Sequence, residues 1–124
     1  AGREEMEEYL AAGFPVFAAL VDGQYAGYVV CRVDSEVVWV ESIFVKEEYR
    51  RHGVAAALHS KAEEIAASYG DDTVYNYVLP NNHRMIEFLR KRGYTVLNLI
   101  EIRKPYQGEK LTQVIQVGDH KFDY

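Results

Sequence analysis

Cysteine is nearly absent. The single Cys31 leaves nothing to close a disulfide within the chain, and points to a reducing compartment. No apolar run is long enough to span a bilayer and no secretory leader is visible, so a cytoplasmic protein without a membrane partner is expected. Basic residues are in deficit, 14 Lys and Arg against 19 Asp and Glu, for a net charge of −5. Such a chain has little bulk attraction for nucleic acid, and no nucleic-acid partner is expected. The four histidines, at 52, 59, 83 and 120, show no ligand spacing with Cys31, so no metal is expected. No Ser/His/Asp arrangement is suggested, and aromatic residues are not interleaved with a basic stripe. Only three prolines occur, with no repeat, low-complexity tract or flexible linker. The 124 residues therefore read as one domain, 1–124, with one core.

What is present is ordinary for a globular chain, 48% hydrophobic and 27% charged. Residues 3–12 fit a short helix with Met6, Tyr9 and Leu10 inward. Residues 14–21 read as a strand, Asp22-Gly23 as a hairpin turn and residues 25–33 as the return strand. Asp34-Ser35-Glu36 turns the chain into a third strand, 37–45. A helix is expected over 53–69, with Val54, Leu58, Ala62, Ile65 and Tyr69 on one face and Gly70 closing it. Residues 73–79 read as a strand. A second helix, 83–92, has Met85, Ile86 and Leu89 inward and ends at Gly93. Strands are then expected over 94–103 and 111–117, separated by a loop. The order is α-β-β-β-α-β-α-β-β.

The strand 37–45 is apolar on both faces, which marks a central strand. The helix after it crosses over and delivers a parallel neighbour, 73–79. The fold class is thus α/β (α+β): a mixed, mostly antiparallel sheet with a parallel pair and helices on its faces. The loop before Gly53 then lies at the C-terminal end of a central strand, where open α/β sheets bind ligands.

That loop carries Arg50, Arg51 and His52 just ahead of a helix. Cations there oppose the helix dipole, by about 0.3–1 kcal/mol each. Backbone N–H groups of a loop entering a helix also form an anion cradle. Two cations and a glycine suit a diphosphate; a solvated basic loop is the plain alternative. The segment lacks G-K-[ST], so it is not a Walker loop, and lacks the further glycines of a dinucleotide turn.

Val45 followed by Arg50-Arg51-His52-Gly53-Val54-Ala55 resembles the acetyl-CoA signature of the GNAT superfamily of N-acetyltransferases, V-x₄-[QR]-x-x-G-x-[GA]. The stretch "NNHRMIEFLRKRGY" is similar to that family's second motif, an Asn followed by a helix ending in Gly-aromatic. The resemblance covers about residues 14–117. The family's opening strand and first helix have no evident counterpart; either residues precede Ala1 or the fold is trimmed.

The resemblance implies a splayed central parallel pair with a pantetheine arm in the gap. Main-chain groups of Ile43, Phe44 and Val45 would pair with that arm as a strand would. The N–H groups from Arg51, His52 and Gly53 to Val54 and Ala55 would hold the pyrophosphate, with the Arg50 and Arg51 cations beside it. Asn82 has two readings: a helix N-cap, with Asn81 as the alternative cap, or an amide bonded to pantetheine. Arg90 and Lys91 fit a solvated helix face. Glu41 is the candidate base, because it interrupts an apolar strand and burial would raise its proton affinity toward what an ammonium substrate requires. Its alternative is a carboxylate paired with an Arg or reaching solvent at a sheet bulge.

The departure from the family is Leu89, where many members carry a Tyr serving as acid to the CoA thiolate. Tyr75 and Tyr77 read as sheet residues. Tyr106, in the loop between the last two strands, is placed on the substrate side. The implied activity is acetyl transfer from acetyl-CoA, with no metal, to a primary amine of a small molecule or a protein. The amine attacks directly in a ternary complex. The alternative is a non-catalytic CoA-binding module for sensing or assembly. The partners are acetyl-CoA and an amine acceptor, and a homodimer is left open.

Overall fold

The computed structural model describes residues 14–124. The helix expected over 3–12 lies outside the described residues. The described chain divides between Glu87 and Phe88 into two compact units.

The first unit holds a four-stranded sheet in the order β1-β2-β3-β4. Strands β1 (Val16–Val21), β2 (Gln24–Asp34) and β3 (Val37–Val45) form the expected antiparallel meander. Both turns are two-residue loops with positive φ throughout, 50° and 78° at Asp22 and Gly23, 51° and 66° at Ser35 and Glu36. Such turns twist with the strands they join, which fixes the register. The second turn achieves this without glycine. Strand β2 is the most deeply buried: Ala26, Tyr28, Val29, Val30 and Cys31 are fully covered. Burial pushes the Cys31 thiol up to about 11, so it is inert, as its strand position implies.

Helix α1 (Val54–Ser68) packs on β3, β2 and β1. Val54, Leu58 and Ala62 are buried as the periodicity requires. The stripe then turns toward Ala66 and His59, and Tyr69 is exposed. A buried Leu or Val side chain contributes roughly 1.5–3 kcal/mol. The helix ends on Gly70 at φ 84°, with Asp71 N–H bonded to Ala66 O and Gly70 N–H to Ala67 O, the paired bonds of a glycine-terminated helix. After α1 the chain enters β4 (Tyr75–Asn76), parallel to β3. The expected strand 73–79 is thus corrected to two residues. Its ladder ends because β3 and β4 part there, and a strand lasts only while its neighbour stays within hydrogen-bonding reach.

Glycine matters most at Gly27. A Cβ there would lie 2.2 Å from the Phe44 carbonyl oxygen and 3.0 Å from Val45 Cα. Strand β2 therefore passes over the end of β3 with no room for a side chain. Lys46 N–H to Ala26 O at 2.8 Å extends that close pairing. Gly27→Ala should destabilise the protein by about 1–3 kcal/mol through overpacking, read as a lower urea midpoint with unchanged m-value.

Helix α2 (His83–Lys91) crosses the division between the units. It also ends at a glycine: Gly93 has φ 93°, with Tyr94 N–H bonded to Leu89 O and Gly93 N–H to Arg90 O. In the second unit, β5 (Val114–Val117) and β6 (His120–Asp123) form a hairpin across Gly118-Asp119. Two strands do follow α2, but the expected positions are corrected. Residues 94–103 carry no strand, and 111–117 shortens to β5 and pairs with an unforeseen β6. Val96, Leu97, Leu99, Ile100 and Ile102 are exposed. Strand propensity reflects packing against neighbours, so an apolar run without a ladder stays irregular. Among the described residues no helix is long and apolar enough to cross a membrane.

The loop of the second unit is tied by a fork. Arg103 donates to both Glu109 carboxylate oxygens, at 2.9 and 2.7 Å, and Tyr106 N–H donates to Oε1 at 2.8 Å. The Arg103 bonds, then the Tyr106 N–H, hold Glu109 down at about 2. A depressed carboxylate stabilises the folded loop fully above the unfolded value near ~4.3, and that contribution is lost as pH falls through about 2. A carboxyl ¹³C titration should show Glu109 still ionised at pH 3, and Arg103→Gln should return it toward the ordinary range.

Candidate functional site

The first element of the site is the parting of β3 and β4. They pair at Trp39–Tyr75 and Val40–Asn76, and a long 3.5 Å contact from Tyr77 N–H to Val40 O is the last link. A cleft of about 200 Å³ opens there. Val40, Glu41, Ser42 and Ile43 line one side. Tyr77, Val78 and Leu79 line the other, with Asn82 and Met85 beyond.

The register explains why four consecutive residues of one strand reach one cleft. Val30 pairs with Ser42 and Cys31 with Val40, so Glu41 opposes no residue of β2. It is the extra residue of a β-bulge. A bulge bends its strand and breaks the two-residue alternation. A count of faces by twos along β3 therefore does not carry across Glu41.

Glu41 is also not the unpaired carboxylate that an apolar strand suggests. Arg32 Nε–H donates to its Oε1 at 2.5 Å, and the Glu41 side chain is 21% exposed. The sequence alternatives of an Arg partner and a bulge are both realised. Arg32 stacks over the Trp39 ring at 4.1 Å and donates Nη2–H to the Tyr77 hydroxyl oxygen at 3.0 Å. One guanidinium thus joins β2, β3 and the irregular segment just after β4. On the far side, His59 of α1 is buried in the cleft wall with Nε2 2.9 Å from Asn76 Oδ1.

The second element is the start of α1. After Val45 the chain makes a 3₁₀ turn, Glu47–Tyr49, and Arg50 folds back to donate Nε–H to Val45 O at 3.1 Å. Arg51 has φ 66° and Gly53 has φ 79°. A Cβ at Gly53 would meet nothing, so the glycine is required by its left-handed backbone rather than by crowding within the chain. The first helical bond runs from Ala57 N–H to Gly53 O. No side chain caps the helix and its first turn holds no acid. The N–H groups of Val54, Ala55 and Ala56 thus lack intrahelical partners, with Arg51 and His52 exposed beside them.

The profile described as the acetyltransferase (GNAT) family matches residues 2–94. The chain belongs to this family. An N-alpha-acetyltransferase of Sulfurisphaera tokodaii is 29% identical over 114 residues, covering 78% of this chain and 64% of the relative. An uncharacterized N-acetyltransferase of Methanocaldococcus jannaschii is 32% identical over 85 residues, covering 63% of this chain and 38% of the relative. The chain thus spans only part of both relatives. Among solved structures, the aminoglycoside N-acetyltransferase AAC(6')-Iy in complex with CoA superposes with a TM-score of 0.66 at 27% identity, covering 79% of this chain and 72% of that one.

Within this GNAT chain, the residues expected at the site fall into separate groups. Glu41, Ile43 and Asn82 line the cleft. Phe44 and Val45 continue β3 beyond the cleft lining, with no ladder among the described residues on the side away from β2. Arg50, Arg51, His52, Gly53, Val54 and Ala55 form the helix start; the Val54 side chain is buried and anchors it. Asn82 caps α2, accepting Met85 N–H on Oδ1 at 3.2 Å, so it takes the cap that Asn81 could have taken. Its Nδ2 group is left to donate. Tyr106 belongs to the second unit, 70% exposed, its ring 4.4 Å from the Arg103 guanidinium carbon. Leu89, in place of the family's Tyr, is buried.

Sequence reading missed Arg32, His59 and Tyr77. A signal for Arg32 existed. The two-residue turn at Ser35-Glu36 puts Arg32 directly opposite Trp39, beside the strand segment that carries Glu41.

Proposed function

We propose that the protein is an N-acetyltransferase that moves an acetyl group from acetyl-CoA to a primary amine by direct attack. The observation that carries this reading is the cleft at the parting of β3 and β4, with Glu41 in its lining and the uncapped start of α1 following β3. Both elements fit a CoA ester. The unpaired side of β3 at Ile43, Phe44 and Val45 offers main-chain groups to an amide-bearing arm. The N–H groups of Val54 and Ala55, with the Arg50 and Arg51 cations, suit a pyrophosphate.

In the reaction the amine nitrogen bonds to the thioester carbon and the C–S bond breaks. The proton lost by nitrogen goes to Glu41. Arg32 engages Oε1, which leaves Oε2 to receive it. A backbone N–H near Phe44 or Val45 stabilises the oxyanion. Of the proteins named above, one is called an N-alpha-acetyltransferase and another an aminoglycoside N-acetyltransferase. The acceptor is therefore proposed only as a primary amine. The rival is a CoA-binding module without turnover, and two experiments separate it from the enzyme.

Acetyl-CoA at 100 times its Kd should stabilise the protein by about 2.7 kcal/mol, read as a rise in melting temperature. Gly53→Asp should abolish the rise by placing a carboxylate at the cradle. Gly53→Asn, equally tolerant of positive φ, should keep most of it. An undiminished rise in the Asp variant removes the cradle.

Glu41→Gln should bind acetyl-CoA as the wild type does but release CoA about 10²–10⁴-fold more slowly with an amine acceptor. The deficit should shrink as pH rises, because more acceptor is already deprotonated. A retained rate with a changed melting temperature makes Glu41 only the structural partner of Arg32. Acetyl-CoA binding with no CoA release from the wild type, across an amine panel, establishes the module instead.

A further inference from the structure

We propose that Tyr77 delivers the proton to the departing sulfur of CoA, and that Arg32 is the positioning residue holding this acid and the Glu41 base on one guanidinium. This rests on the acetyltransferase reading.

When the C–S bond breaks, its electron pair leaves on sulfur and needs a proton. Four side chains lining the cleft carry or can carry an acidic proton: Glu41, Ser42, His59 and Tyr77. Glu41 is occupied as the acceptor of the amine proton. The alcohol of Ser42 is far too weak an acid. His59 is 1% exposed and its Nε2 is engaged by Asn76 Oδ1 at 2.9 Å. Tyr77 remains, a half-exposed phenol one residue beyond the last β3–β4 pair.

Its hydrogen bond sets the direction of the proton. Arg32 Nη2–H donates to the Tyr77 oxygen at 3.0 Å. A guanidinium has no acceptor. The phenol therefore cannot give its own proton to Arg32, and that proton is left for another acceptor. The same guanidinium stabilises the phenolate that proton delivery leaves behind. Its Nε–H meanwhile holds Glu41.

The protons balance. Nitrogen loses one to Glu41, and sulfur gains one from Tyr77. A carboxylic acid and a phenolate then flank Arg32, and one proton passed from Glu41 to Tyr77, directly or through water, resets both. No further reactant is needed. Asp34 Oδ2, 3.8 Å from Arg32 Nη1, is a more distant and exposed charge beside the pair.

The test is Tyr77→Phe, which keeps the ring. Acetyl-CoA binding, read by melting temperature, should be unchanged. The kcat for CoA release should fall about 10²-fold, the low end for an acid–base group, because a thiolate of pKa near ~8.5 is a fair leaving group. The wild-type kcat should decline on the alkaline side as a tyrosine ionises, and that limb should vanish in the variant. Tyr75→Phe, outside the cleft lining, should retain both rate and limb. A readout without turnover is ¹³C-tyrosine NMR, with the Tyr77 signal assigned by its loss in the variant. It should move on adding CoA and hold still on adding desulfo-CoA. A kcat within about threefold of wild type, an unchanged alkaline limb, or equal movement with both ligands overturns the proposal alone. A wild type that binds acetyl-CoA yet releases no CoA with any amine overturns the acetyltransferase reading and this proposal with it.

Discussion

Strand β3 carries one residue more than β2 can pair, and that residue is Glu41. The surplus sits one step past the last regular pair with β4, Val40–Asn76. A bulge bends and twists its strand locally, so β3 is turned where a parallel ladder would have to continue. The cleft follows from that mismatch. It also puts Val40, Glu41, Ser42 and Ile43 along one opening, which a regular strand of period two would not do. Beyond the bulge, among the described residues, β3 pairs with β2 alone, and Gly27 lets β2 approach the Phe44 carbonyl. The free side is the one the proposed ligand would use.

The charges follow the same logic. Cations before α1 oppose its dipole, and neither a side-chain cap nor a first-turn acid relieves them. Part of that cost is contained within the chain, because Arg50 points back to the Val45 carbonyl. Arg51 is exposed beside the same helix start. Beside the cleft the Arg32 cation is matched by Glu41 and covers the Trp39 ring. The two basic groups therefore do different work. One set surrounds an uncapped helix start, and the other joins a carboxylate and a phenol.

Much of the fold was legible because it is set by local rules. Asp22-Gly23 and Ser35-Glu36 are two-residue turns, and such turns leave little freedom in the register of β1, β2 and β3. Both helices end where a glycine takes positive φ, at Gly70 and Gly93. The helix start at Gly53 was legible for the same reason, and with it the spacing from Val45 that marks the family. Legibility failed where a residue's state depends on a distant partner. Residues 94–103 have strand composition without a ladder. Residues 73–79 keep only the two that β3 still reaches. The bulge at Glu41 leaves no local trace, since counting by twos assumes it away.

That last failure matters for the chemistry. Read by alternation, Glu41 is a lone buried carboxylate. A lone buried charge is costly, and the usual escape is to take up a proton. Read with the bulge and the Ser35-Glu36 turn, it is half-buried and paired with Arg32. A paired carboxylate needs no such escape, because the opposite charge sits beside it: Arg32 Nε–H donates to Oε1. Pairing does not by itself make a base. The same pair ties β2 to β3. The Tyr77 bond weighs against a tie alone, because a guanidinium holding only two strands together would have no need to extend to a phenol across the cleft. Arg32 Nε–H holds Glu41 while Nη2–H reaches the Tyr77 hydroxyl oxygen, so one side chain of β2 touches residues from both sides of the cleft. The position of one arginine, opposite Trp39 by the register of a two-residue turn, thus brings Glu41 and Tyr77 to a single guanidinium beside the cleft that both line.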